Sequence, residues 1–383
     1  MQAIQDPENT LKTFYFTPSI EEYFENILEQ VVRGKGGGFW IQAEYGAGKT
    51  HFLAALGSLL MADSEIPWNS VRSDTVQSYA RRLTGKTLFP IIINLKGEAD
   101  FHGKDNLLRV IERHIEEILD ERELHEKVFV TTGDELIKWY EKNKLKAQID
   151  AYIKSKSGKS AIDLGRQVLA DLIRQYCDDE GTTPRLSAST KTRITYIYNQ
   201  LLKQGFSGLL FIIDEYASWE DRHPVGTPEY AMDEEVLETL SWELPKGRGL
   251  EIYAIVASQK PAPAKLRGER FDNFLLLGGK NEKDYDVIVS YRVRDLIQER
   301  LPEIEGYYED YFKDFKFLKN TSKEYFLSTF PFQPRFFEVI RRITARELPT
   351  ARLGISVVWD TLCDFVLNRN ALITGKIRDI SHN

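Results

Sequence analysis

Cysteine is nearly absent from this chain: two in 383 residues, Cys177 and Cys363, in unrelated surroundings. Two cysteines cannot build a disulfide framework or a zinc ribbon, so a reducing compartment is expected. Histidine is scarce too, and none of the six, at 51, 102, 114, 125, 223 and 382, stands four residues from another. That argues against a dedicated His/Cys metal site. Positive charge is not in excess. With 51 basic and 58 acidic residues the net charge is −7, which excludes a protein that coats nucleic acid over its whole surface and leaves room only for a local basic face. Long hydrophobic runs are missing. The longest are strand-sized, as in Leu209-Leu210-Phe211-Ile212-Ile213, against the ~20 apolar residues of a membrane span. The opening Met1-Gln2-Ala3-Ile4-Gln5-Asp6 has neither the basic nor the apolar stretch of a signal peptide. A soluble, cytoplasmic protein with no membrane partner is expected.

The chain is 42% hydrophobic and 12% aromatic, the composition of a folded globular protein, and its length suggests about two domains. Thr17-Pro18 reads as a helix N-cap followed by proline at the first helical position. Ile20, Phe24, Ile27, Leu28 and Val31 then recur at helical spacing. The glycine run at 34–38 ends that helix, and Phe39-Trp40-Ile41 opens a short buried strand. A helix is expected from about Thr50 to Met61. Further strands are expected at 88–95, 209–213, 252–257 and 274–277. Between the second and third of the chain's strands, 98–205 reads as a charged helical insertion. Within it, Lys154-Ser155-Lys156-Ser157-Gly158-Lys159-Ser160 reads as a surface loop, since no apolar strand precedes its Gly158-Lys159-Ser160. Strands alternating with helices imply a parallel sheet covered on both faces. The divisions expected are a helical lead-in at 1–35, an α/β core at 36–280 carrying the insertion at about 98–205, and a helical domain at 281–383.

Ala43-Glu44-Tyr45-Gly46-Ala47-Gly48-Lys49-Thr50 follows a strand and opens a helix, the setting that makes a phosphate-binding loop credible. Glycines let the backbone aim N–H groups at phosphate oxygens, and the helix N-terminus adds partial positive charge. The expected nucleotide-contacting run is Glu44, Tyr45, Gly46, Ala47, Gly48, Lys49, Thr50 and His51. Lys49 would reach the β- and γ-phosphates and the Thr50 hydroxyl would ligate Mg²⁺. Ala43 departs from the pattern, which usually has glycine there. Leu209 to Ile213, followed by Asp214-Glu215, forms an apolar strand delivering carboxylates at its C-terminal end, where ligands gather in open α/β sheets. Asp214 would hold Mg²⁺, and Glu215 would polarise the water that attacks the γ-phosphate.

A strand between these two motifs, around Ile91-Ile92-Ile93, resembles the additional-strand, catalytic-glutamate class of P-loop NTPases, which includes AAA+ ATPases, helicases and STAND switches. The resemblance implies an α/β, parallel-sheet P-loop core followed by an α-helical lid, with ATP favoured because no guanine-specifying Asn-Lys-x-Asp follows. It also implies roles. Ser258 or Gln259, at the end of the fourth strand, matches the γ-phosphate sensor, and Asn94 matches the residue that switches the catalytic glutamate. Arg270 and Arg267, before the fifth strand, match an arginine finger offered to a neighbouring subunit. Arg335 matches a lid-borne second sensor. Arg335, Arg342 and Arg346 share a helical face, read either as a solvated face or as a stripe facing DNA.

Phe16-Thr17-Pro18 with Tyr23-Phe24, Glu44 through Phe52, Ile213-Asp214-Glu215-Tyr216 and Phe330-Pro331-Phe332-Gln333-Pro334 together resemble the large ATPases of bacterial phage-defence islands, of the bacteriophage-exclusion (BREX) and Pgl type. That resemblance implies a nucleotide-driven component of an anti-phage complex, with other defence proteins as partners, and does not by itself say what the ATPase moves or senses. The first reading is a Mg²⁺- and ATP-dependent switch or motor, a homo-oligomer with a shared ATP site, with action on DNA left open. The other reading is a nucleotide-binding scaffold, like a STAND switch, that orders protein partners with little turnover.

Overall fold

The computed structural model describes residues 6–43, 48–98, 106–124, 132–180 and 189–276, with positions 322, 323 and 325. Glu44 to Ala47, Arg335, Arg342, Arg346 and the expected lid at 281–383 lie outside the described residues.

Five strands form one sheet: β1 (Gly37–Ala43), β2 (Leu88–Asn94), β3 (Gly208–Asp214), β4 (Ile252–Ser258) and β5 (Phe271–Leu276). The spatial order is β2-β3-β4-β1-β5, with every pairing parallel. β3 and β4 are buried along their whole length, which is why they read as unbroken apolar runs rather than as alternating ones.

Helices α1 (Pro7–Thr13), α2 (Pro18–Val32), α3 (Lys49–Leu60) and the single turns α4 (Asp74–Gln77) and α5 (Ala80–Leu83) precede β2. Leu11, Phe24, Ile27 and Leu28 from α1 and α2 join Phe52 and Leu56 of α3 in one core with the sheet, so α1 and α2 belong to this layer. The Thr17 hydroxyl caps α2 by accepting from the Ile20 N–H, as Thr17-Pro18 predicts.

The other face is covered by α6 (Leu107–Glu121), by α10 (Thr190–Lys203), α11 (Tyr216–Glu220) and α12 (Pro228–Glu238), and by a π turn at Thr239–Glu243. α13 (Pro245–Arg248) then leads into β4. The π turn packs so closely on β1 that a Cβ at Gly38 would lie 2.3 Å from Ser241 Cβ and 2.8 Å from the Phe271 ring, so glycine is required there.

Between α6 and α10 stand α7 (Thr132–Lys142), α8 (Lys146–Ser157) and α9 (Arg166–Asp179). They have a core of their own, formed among others by Leu136, Tyr140, Ile149, Ile153 and Ile173. The buried Arg193 of α10 ties them to the main body, contacting Glu112 of α6 at 3.4 Å and Glu135 of α7 at 2.8 Å.

Several sequence expectations need correction. Lys154 to Ser157 are not loop but the last turn of α8, held by the buried Ile149 and Ile153; Gly158, at φ 70°, terminates it. Lysine and serine there resemble a linker only until the apolar spacing upstream is counted. β5 begins at Phe271, three residues before the expected Phe274, because it is an edge strand whose alternate residues face outward. Gly37 and Gly38 belong to β1 rather than to the turn. Among the described residues, no helix is long and apolar enough to cross a membrane.

Candidate functional site

In a parallel sheet all strands release their last residues at one end. Strand pairing sets Asn94 of β2 directly beside Asp214 of β3, and Ser258 of β4 beside Gln42 of β1, one residue before Ala43. Three expected site positions, Asn94, Asp214 and Ser258, therefore share one rim with the end of β1.

The chain enters α3 through Gly48, whose φ is +89°. A Cβ there would meet nothing within 4 Å, so the demand for glycine is one of backbone angle, not of space. α3 has no side-chain cap, and its first N–H groups lack intrahelical acceptors, which makes its N-terminus an anion-attracting end. Lys49, the first residue of α3, is 5% exposed, and its ammonium donates to the Ala43 carbonyl at 3.2 Å. It folds back to the end of β1.

The Thr50 hydroxyl donates to Asp214 Oδ2 at 2.8 Å, joining the helix start to a strand end 164 residues away. Asp214 is fully buried, and its Oδ1 accepts the Glu215 N–H at 2.8 Å. Glu215 sits at φ 59°, ψ 36°, a left-handed backbone that costs a glutamate about 1–2 kcal/mol. Such outliers collect at functional sites. Among the described residues, no hydrogen bond or ion pair engages its half-buried carboxylate.

Asn94 is exposed, and its side-chain oxygen accepts the Lys96 N–H at 3.1 Å, while the Leu95 N–H donates to the Asp214 carbonyl. Ser258 is fully buried and its hydroxyl accepts the Lys260 N–H at 3.1 Å, whereas Gln259 is exposed. The His51 ring packs edge-on against Phe14, centroids 4.9 Å apart. Arg267 is exposed and donates from Nε to the Ala262 carbonyl at 2.7 Å. Arg270 pairs with Glu238 at 2.6 Å. It immediately precedes Phe271, which is level with Gly38 near the start of β1. At about 3.3 Å per residue, Arg270 stands roughly 20 Å along the strands from the rim.

Residues that no sequence motif marks hold this rim together. The Arg222 guanidinium donates to the Leu95 carbonyl at 2.7 Å and to the Glu98 carbonyl at 2.8 Å, and lies over the Trp219 ring. Lys260 pairs with Glu220 and Asp221, whose hydrogen bonds push its ammonium above the ordinary lysine value. The segment after Glu215 is thus tied to the exits of both β2 and β4. Behind it, Asp233 is buried and accepts from Trp219 Nε1, the Leu107 N–H and His223 Nδ1. Burial pushes the Asp233 carboxyl up, opposed by those hydrogen bonds. Histidine spacing alone speaks only to metal binding and so does not mark His223, and the partners of Arg222 are backbone carbonyls, which leave no trace in residue identity.

Thr50 and Asp214 offer hard oxygen donors, and the described residues contain no group of three or more His, Cys, Asp or Glu that could hold a metal. Such a sparse set suits Mg²⁺, which keeps waters and takes substrate phosphate oxygens. No family model and no curated protein matches the chain.

Proposed function

We propose that the chain binds and hydrolyses MgATP at this rim. The observation that carries the reading is the 2.8 Å contact between the Thr50 hydroxyl and Asp214. It joins the two groups that a P-loop site requires on one metal ion, from segments that share no local sequence. The sheet order supports it: β4 lies between β1 and β3, and β2 lies outside them, the arrangement expected of the additional-strand class.

In this reading the α3 N-terminus and Lys49 hold the β- and γ-phosphates. Thr50 and Asp214 hold Mg²⁺, which when bound neutralises charge on the phosphate oxygens. Glu215 orients a water and takes its proton as the water oxygen bonds to the γ-phosphorus. The bond from that phosphorus to the bridging oxygen breaks, and ADP and phosphate leave. Asn94 and Ser258, on the same rim, sense the γ-phosphate end. Arg270 or Arg267 serves the site of a neighbouring copy. Resemblance to the phage-defence ATPases adds the setting: a nucleotide-driven switch in an anti-phage complex, with other defence proteins as partners.

Steady-state phosphate release tests the hydrolytic core. Glu215→Gln should still bind ATP and lose turnover by about 10²-fold or more, whereas Lys49→Ala should lose binding as well. Turnover by Glu215→Gln at the wild-type rate would refute the assignment.

A further inference from the structure

We propose that the α7–α9 subdomain carries a second binding surface, made by two groups of lysines on α7 and α8, that takes the phosphate backbone of duplex DNA. This inference stands apart from the nucleotide site and uses none of its residues.

Between 142 and 159 the chain holds six lysines, no arginine and one acid, Asp150, in a protein whose net charge is −7. Lys142, Lys144 and Lys146 surround the α7–α8 turn. Lys154, Lys156 and Lys159 lie at the far end of α8. All six are exposed, and among the described residues none is in an ion pair. Glu141 and Glu180 are exposed beside them without pairing to them, and four further acids are engaged otherwise. Asp150 accepts from the Tyr140 hydroxyl, Asp179 from Tyr152, Asp163 from Ser160, and Asp171 pairs with Arg174. Lys146 and Lys156 instead lie over the Tyr140 and Tyr152 rings, 5.1 and 5.3 Å from the centroids.

Folding accounts for only part of this arrangement. Lysines in the last turn of a helix stabilise its negative end by about 0.3–1 kcal/mol, which explains Lys142, Lys154 and Lys156. Lys146 is the first residue of α8, Lys144 stands just before it, and the first turn has no acid. Positive charge at that end opposes the helix dipole. An external anion reverses the sign of that effect.

The spacing and chemistry favour duplex DNA among polyanions. The 12 residues of α8 separate the two groups by about 18 Å, which is about half a helical turn of B-DNA. Lysine is a flexible point charge without the planar fork that reads guanine edges, and the exposed Gln148, Ser155 and Ser160 are further donors of the kind that contact phosphate. An anionic membrane would need an apolar face beside the charges, but Ile149 and Ile153 of α8 are fully buried in the subdomain's own core.

The test uses the full chain without nucleotide and a fluorescently labelled duplex of arbitrary sequence three helical turns long, titrated at several salt concentrations. Vesicles containing phosphatidylserine serve as the competing surface. The expected result is binding that weakens with salt, with a log–log slope of up to about −5 for six phosphate contacts. Changing Lys142, Lys144 and Lys146 together to Gln, or Lys154, Lys156 and Lys159 together to Gln, should each lower that slope by up to about 2.7. The corresponding Arg replacements should keep it, and all variants should melt cooperatively, shifted by no more than the ~0.3–1 kcal/mol each helix-end lysine contributes. Wild-type slope and affinity after all six Gln changes would overturn the proposal, as would binding to the vesicles but not to the duplex. Lys49→Ala should bind the duplex normally, so failure here and failure of the ATP reading are separable.

Discussion

Replacing Thr50 by valine keeps the outline of the side chain and removes the hydroxyl that donates to Asp214 Oδ2 at 2.8 Å. Asp214 is fully buried, so the stripped oxygen has no ready access to bulk water, and its other oxygen is already taken by the Glu215 N–H. A hydrogen bond to a charged group contributes about 1.5–3 kcal/mol, and an orphaned buried acceptor carries its desolvation penalty. A loss of about 2 kcal/mol is expected in the nucleotide-free protein, which corresponds to roughly 4–8 °C in melting temperature for a cooperative unit of this size. Thr50→Ser keeps the hydroxyl and should lose less than about 1 kcal/mol. The assay is thermal unfolding followed by circular dichroism, in chelator and then with MgATP. In chelator, Thr50→Val melting together with wild type would refute the buried contact. With MgATP at about a hundred times its dissociation constant, wild type should gain about 2.7 kcal/mol, and Thr50→Val less. An equal gain in both would make the hydroxyl structural and end its assignment to the metal. The pairing can be isolated with Asp214→Asn in a double-mutant cycle, where contacting groups couple by about 0.5–3 kcal/mol.

Three other expectations follow from separate parts of the structure. Glu215→Gly removes a side chain from a left-handed position and should raise the urea midpoint, by up to about 1 kcal/mol in stability, while turnover is lost; a destabilised variant would contradict the strain argument. The hydrogen bond from His114 leads the causes that hold the Glu98 carboxyl below its ordinary 4.5, with the nearby His114 and Arg113 charges, against burial. A depressed carboxyl contributes stability above its unfolded value and loses it as pH falls through the folded one. His114→Gln should therefore make the loss of stability below pH 4.5 shallower, read as urea midpoints across the acid range; an unchanged profile would exclude this link. Arg193→Met leaves the Glu112 and Glu135 carboxylates without the guanidinium between them and should cost about 3–5 kcal/mol. Hydrogen exchange should rise in α7 before it rises in β3, and uniform protection would show that Arg193 does not fasten the subdomain.

Local pattern carried the sequence reading a long way. β1 to β4 were legible because strands buried on both faces write themselves as apolar runs, and Thr17-Pro18 named its own helix start. Gly48-Lys49-Thr50 and Asp214-Glu215 were legible because a left-handed glycine, a helix start and a strand end each need particular residue types over a few positions. The features that escaped are those set by distance or by backbone. Nothing local says that Thr50 meets Asp214, or that Arg222 reaches the carbonyls of Leu95 and Glu98. Edge position hid the first half of β5, because Asp272 and Asn273 interrupt its apolar pattern. The last turn of α8 was masked by residues that suit a loop equally well, and only the core beneath Ile149 and Ile153 decides between the two.

The geometry of a parallel sheet also constrains how the arginines can act. Asn94, Asp214, Ser258 and Lys49 gather at the rim where the strands end, while Arg270 stands at the far end of β5. About 20 Å of strand separates them, so Arg270 cannot reach the phosphates of its own chain without dismantling the sheet. If the rim holds a nucleotide, as proposed, Arg270 would meet one only at the site of another copy. The present ion pair with Glu238 is about one-third exposed on both sides and such pairs contribute only ~0–1 kcal/mol, whereas arginine binds phosphate through two parallel hydrogen bonds. On the proposed reading, a neighbour's phosphate would offset the loss of that weak pair. If Arg270 acts in this way, turnover per chain must rise with protein concentration, and Arg270→Ala must flatten that rise without weakening ATP binding at the chain's own site. Full turnover by a monomer at every concentration would remove Arg270 from the chemistry and leave its contact with Glu238 as a surface ion pair.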